Sequence, residues 1–145
     1  MCFTLYVGTS IKLPLIEWKK DQPAVHTTNL QDYELGILSR FTLPYVLRIG
    51  SDQGCGCGFR HALADGQNWL PVGEGEMDDL DAIQKNHKGI WQYLTGNVTG
   101  ESIEIYACWN GDVYDCSDCI SDIRIEDILN EDFYFKEGWL YKVAI

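Results

Sequence analysis

No stretch of this chain stays apolar for the roughly 20 residues that a membrane-crossing helix needs, so no spanning helix is predicted. The opening Met1-Cys2-Phe3-Thr4-Leu5-Tyr6-Val7-Gly8 lacks the basic region and apolar helix of a secretory signal. The expectation is a cytoplasmic chain. Basic residues are scarce: 11 Lys and Arg stand against 22 Asp and Glu, a net charge of −11. Nucleic-acid binding through phosphates needs the opposite balance, and an anionic membrane surface is disfavoured for the same reason. Nucleic acid and membrane are therefore not expected as partners, and the sequence names no protein or small-molecule partner. Low-complexity segments and a dividing linker are missing too, which predicts one globular domain over residues 1–145. In a reducing compartment the six cysteines do not pair as disulfides. They read instead as small hydrophobes, metal ligands or reactive thiols.

Alternation supplies the first element. Phe3, Leu5 and Val7 alternate with Cys2, Thr4 and Tyr6, the period of a strand. Val25–Thr28 is a short strand candidate, and Tyr45–Ile49 is a strand that Gly50 ends. Leu35, Ile37, Leu38 and Phe41 predict a helix over 32–41, stopped by Pro44. The strongest helix runs from Met77 to Leu94, with Leu80, Ile83, His87, Ile90, Trp91 and Leu94 on one stripe and Gly96 as its stop. Ile103, Ile105, Ala107 and Trp109 form a strand, followed by Asn110-Gly111 as a hairpin signal. Ile123 and Ile125 suggest another strand. Phe133-Tyr134-Phe135 and Trp139-Leu140-Tyr141 flank Lys136-Glu137-Gly138 as a closing hairpin. No steady βαβ alternation runs through the chain, so an α+β fold with a mixed or mostly antiparallel sheet and two main helices is predicted.

Residues 50–75 form a connection too long to be bland. It holds Gly54-Cys55-Gly56-Cys57-Gly58-Phe59-Arg60-His61, and glycine at three alternate positions weakens any regular element. Three chemistries suit this segment. In the first, Cys55 and Cys57 join Cys116 and Cys119 as four thiolates around zinc, with His61, Cys108 and Cys2 in reserve. In the second, Cys55 or Cys57 is a catalytic or redox nucleophile tuned by Arg60 and His61, since nearby positive charge raises the thiolate fraction. In the third, the glycines cradle a phosphate, but G-x-G-x-G is neither dinucleotide fingerprint nor Walker sequence. An interaction domain with no chemistry of its own is the alternative to all three. Asp112, Asp115, Asp118, Asp122 and Glu126 lack the spacing of a calcium loop and read as a solvated acidic surface. His87, on the apolar helix stripe, reads as a core histidine.

The C-x-C and C-x-x-C pairs resemble the zinc centre of the redox-regulated heat-shock chaperones, although 58 residues separate them here. The opening M-C-x-x-L-Y-V-G, the strand ending Ile49-Gly50-Ser51, the G-C-G-C-G-F loop and Phe133-x-Phe135-Lys136-Glu137 resemble an uncharacterised family of small bacterial proteins. That resemblance implies a bacterial, intracellular, single-domain protein and supplies no activity, no cofactor and no catalytic residue.

Overall fold

In a computed structural model of the chain, which describes residues 2–20, 25–61, 79–110 and 119–145, one six-stranded sheet organises the molecule. Its strands are β1 (Phe3–Thr9), β2 (Val25–Thr28), β3 (Tyr45–Ser51), β4 (Ser102–Trp109), β5 (Cys119–Arg124) and β6 (Trp139–Ala144). They lie in the order β2-β3-β1-β4-β6-β5. All neighbours are antiparallel except β5 and β6, which run parallel. The fold class is α+β, as the sequence predicts.

The sheet has two covered faces. Phe3, Leu5 and Val7 of β1, Leu47 and Ile49 of β3, and Ile103, Ile105 and Ala107 of β4 point one way. They pack beneath Ile90, Tyr93 and Leu94 of the α-helix α1 (Leu80–Asn97). Tyr6, Tyr106 and Cys108 point the other way and meet Ile37 from a 3₁₀ segment over Asp32–Arg40. All seven residues of β1 are buried because both faces of this central strand are covered.

Several local expectations are corrected. The 32–41 segment is 3₁₀ rather than α, so Ile37 and Glu34 are buried while Leu35 and Leu38 are 50% and 44% exposed. Three residues per turn, not 3.6, decide which side chains share a face. Helix α1 continues through Gly96 to Asn97, with Val98 as its cap. Its buried side is Ile83, Asn86, His87, Ile90, Tyr93 and Leu94, and Leu80 is exposed. β3 continues through Gly50 to Ser51 because β2 pairs beside it there, with the His26 ring lying on Gly50.

Gly111 of the Asn110-Gly111 signal lies outside the described residues; among the described strands β4 lies between β1 and β6, and the next in sequence, β5, lies beyond β6. Phe133–Phe135 is not a strand. Its aromatics instead form an edge-to-face group with Tyr141, at ring distances of 5.0 to 5.9 Å. Among the described residues, no helix is long and apolar enough to cross a membrane.

Candidate metal centre

The turn that carries Cys55 and Cys57 is built around Ser51, the last residue of β3 and fully buried. The Ser51 N–H and hydroxyl both donate to the Cys55 carbonyl, at 2.6 and 2.7 Å. Its hydroxyl oxygen accepts the N–H groups of Gln53 and Gly58, each at 3.2 Å, and its carbonyl accepts from Gly54 at 3.1 Å. One serine thus closes the loop on itself. Gly54 makes the reversal with φ of 79°, a left-handed conformation that costs glycine nothing. A short 3₁₀ turn, Gly56–Phe59, follows.

Two elements press this turn into place. From β1, the backbone comes so close that a Cβ on Gly56 would lie 2.5 Å from the Phe3 carbonyl oxygen. From α1, Asn86 holds both flanks of the loop. Its amide donates to the Asp52 carboxylate at 2.9 Å and the Gly58 carbonyl at 3.2 Å, and its oxygen accepts the Asp52 N–H at 3.2 Å. His87 shares a hydrogen bond of 3.0 Å with the Phe59 carbonyl. The Trp18 indole donates to the Asp52 carbonyl at 3.1 Å, which brings the long loop after β1 back over the turn.

The result is a cluster of three thiols. Cys2, just ahead of β1, joins Cys55 and Cys57 with all three sulfurs within 4.8 Å of one another. Cys2 is exposed and the other two are half-buried. Tetrahedral Zn–S bonds of about 2.3 Å would place sulfurs roughly 3.8 Å apart. With all sulfurs within 4.8 Å, at most about 1 Å of closure brings the set onto an ion.

The Phe3 N–H points at Cys57 Sγ at 3.4 Å, and the Cys57 N–H points at Cys55 Sγ at the same distance. The Cys57 pKa is lowered from 9.0 to about 6, first by a hydrogen bond from the Cys55 thiol. The Phe3 N–H, the Cys2 thiol and the charge of Arg60 act in the same direction, and burial opposes them. Cys55 keeps its proton for the converse reason: the thiolate it donates to, together with burial, raises its pKa. The pair shares one proton over two sulfurs.

The other candidates lie elsewhere. Cys119 opens β5 opposite Trp139, three strand spacings from β1, or roughly 14 Å across the sheet. It therefore stands apart from the three-sulfur cluster, which among the described residues gathers Cys2 with Cys55 and Cys57. Cys116 lies outside the described residues, as do Asp112, Asp115 and Asp118. Cys108 is buried on the second sheet face beside Tyr6 and Tyr106, as a small hydrophobe. No disulfide joins the described cysteines.

Arg60 reaches back over Trp109, 4.7 Å from its ring centroid. His61 is neither a surface residue nor part of the cluster. It is 6% exposed and lies against the rings of His87 and Tyr134, at 5.9 and 6.2 Å. The sequence signal for Cys2 was its thiol alone. Nothing in the sequence announced Ser51 or Asn86, whose roles exist only once β3, the turn and α1 meet.

What this arrangement can do follows from its donor set: three convergent sulfurs, one already ionised near neutral pH, are able to hold a metal ion. No family model matches this chain, and neither a curated protein nor a solved structure is found to resemble it, so the functional reading stands on this geometry.

Proposed function

We propose that Cys2, Cys55 and Cys57 form a thiolate site for a soft divalent metal ion, zinc foremost. The observation that carries this reading is the mutual approach of the three sulfurs within 4.8 Å, drawn from two segments some fifty residues apart in the chain. Thiolates select zinc and other soft ions over calcium and magnesium. Cys57 has its pKa lowered towards the neutral range, whereas the pKa of Cys55 is raised, so metal binding has to expel the proton that Cys55 holds. The net charge of −11 favours any cation.

Metal content and thiol titration on untagged protein, purified under reducing conditions, test the proposal. About one zinc per chain is expected, with roughly three thiols protected until a chelator is added. Serine at Cys2, Cys55 or Cys57 is expected to weaken zinc retention, and serine at Cys119 to leave it unchanged. A metal-free protein whose described thiols all react freely would overturn the reading.

The ionised Cys57 favours a second reading, thiol–disulfide exchange. Cys57 thiolate attacks a substrate disulfide and expels one thiolate. Cys2 then gives up its proton and attacks the mixed disulfide, releasing the second. The substrate gains two electrons, and the chain is left with a Cys2–Cys57 disulfide. Oxidation of the metal-free chain by a small disulfide, followed by peptide mapping, would find that link if this chemistry operates.

A further inference from the structure

The three sulfurs leave one side of a tetrahedral ion to be filled, and among the described residues no other Cys, His, Asp or Glu atom joins the group. A cleft of about 150 Å³ opens beside Cys2 and Cys55. A single water needs only about 10–15 Å³ by such a measure, so the cleft has room for a compact polyatomic ligand. Thr4, Arg48, Gly50 and Asn110 complete much of its wall. Among the described residues no carboxylate lines it. Arg48 brings a positive charge and a fork of five N–H donors, Thr4 a hydroxyl and Asn110 an amide.

The guanidinium is not saturated by its known partner. Arg48 Nη1 lies 3.4 Å from Glu34 Oε1, long beside the 2.7–2.9 Å of a strong charge-assisted bond. The same Glu34 oxygen accepts the Tyr6 hydroxyl at 2.9 Å, and its other oxygen accepts the Gln31 N–H at 2.8 Å. Glu34 therefore divides its attraction among three donors.

We infer that this cleft binds a small oxyanion, a carboxylate or a phosphate, which coordinates the metal at its open position while Arg48 holds its other oxygens. The inference rests on the metal reading. It makes the site an open one that receives an external ligand, not a closed structural one. Three thiolates exceed the charge of a divalent ion by one, and Arg48 and Arg60 are the cations placed to offset them and the incoming anion.

Cobalt(II) loading of the full chain provides the test, because its visible bands report the ligands and their number. Acetate and inorganic phosphate are titrated separately into the cobalt protein. A saturable band shift with either is expected, and the arm that responds identifies the class of anion. Arg48→Met and Arg48→Lys are expected to keep the cobalt–thiolate bands, since no sulfur ligand is removed, while losing roughly ten- to a hundredfold in anion affinity. Arg48→Lys keeps the charge opposite Glu34 and so guards against a folding defect.

Cobalt–thiolate bands that ignore both anions would overturn the inference and leave the metal site standing. Anion affinity unchanged in both Arg48 variants would overturn it as well. Bands of the anion-free protein that change in Cys116→Ser would show that a protein thiol fills the position. Absence of any cobalt–thiolate band would remove the metal reading and this inference together.

Discussion

Cys57 owes its character to a single main-chain N–H, two neighbouring thiols and one guanidinium. The consequence for reactivity is direct. With a pKa lowered to about 6, Cys57 is chiefly thiolate at pH 7, whereas Cys55 holds its proton. In the metal-free chain, iodoacetamide at pH 7 is expected to modify Cys57 ahead of Cys55, with a rate that falls as pH drops through 6. Equal labelling of both, or an inflection near 9 for Cys57, would defeat the assignment. The linkage has a definite sign. A thiol whose pKa is depressed on folding adds stability that is complete above 9.0 and fades as pH falls towards 6. The raised pKa of Cys55 works against folding only where an unfolded cysteine ionises, above about 9.

The site depends on a turn pressed against a strand. Gly56 sits where the backbone of β1 leaves no space, with Phe3 carbonyl oxygen at 2.5 Å and Thr4 Cα at 3.0 Å from a would-be Cβ. Backbone cannot step aside as a side chain can. Gly56→Ala is therefore expected to push the turn outward, cost about 1–3 kcal/mol, and weaken zinc retention by moving Cys55 and Cys57 away from Cys2. Thermal unfolding and metal content check this, and an alanine variant with native values for both would refute it.

The same element shows how far the sequence could be read. The alternation in Phe3–Val7 and Ile103–Trp109 reveals β1 and β4 because each buries one face on α1. The glycines around Cys55 and Cys57 mark a functional loop for a sound reason, since Gly54 takes a left-handed φ and Gly56 a forbidden approach. The partner of those cysteines was legible only as one of three reserve ligands, Cys2 beside His61 and Cys108. The C-x-x-C spacing drew attention to Cys119, whereas sheet order set Cys119 far away and brought Cys2 in. Strand order is a long-range outcome that local patterns do not encode. The closing-hairpin reading failed for another reason, because Phe133 and Phe135 pack edge-to-face on Tyr141 instead of pairing as a strand.

At the scale of the whole molecule, the burial of His87 links the packing of α1 to the pH dependence of folding. Its pKa falls from 6.5 to about 4, chiefly because burial penalises the charged ring, with the neighbouring His61 adding repulsion. A hydrogen bond to the Phe59 carbonyl opposes the shift. An unfolded chain takes up the proton at 6.5 and the folded one resists it, so stability is full above 6.5 and declines as pH falls towards 4. The gap corresponds to roughly 3 kcal/mol. His26, also lowered by burial, contributes with the same sign. Urea unfolding at pH 7 and pH 5 is expected to show a marked drop in midpoint, smaller in His87→Gln. Equal drops in the two proteins would place the effect elsewhere.

β1 is the first strand of the sequence and the third in the sheet, and Leu5 faces Ile49 on one side and Ala107 on the other. During synthesis its second neighbour does not exist until the ribosome has passed residue 109. At about 5–20 residues per second, that is a delay on the order of 5–20 s. Throughout it, an apolar strand built to pair on both edges has at least one edge open, a period in which the growing chain is most exposed to chaperones and to mispairing with its own kind.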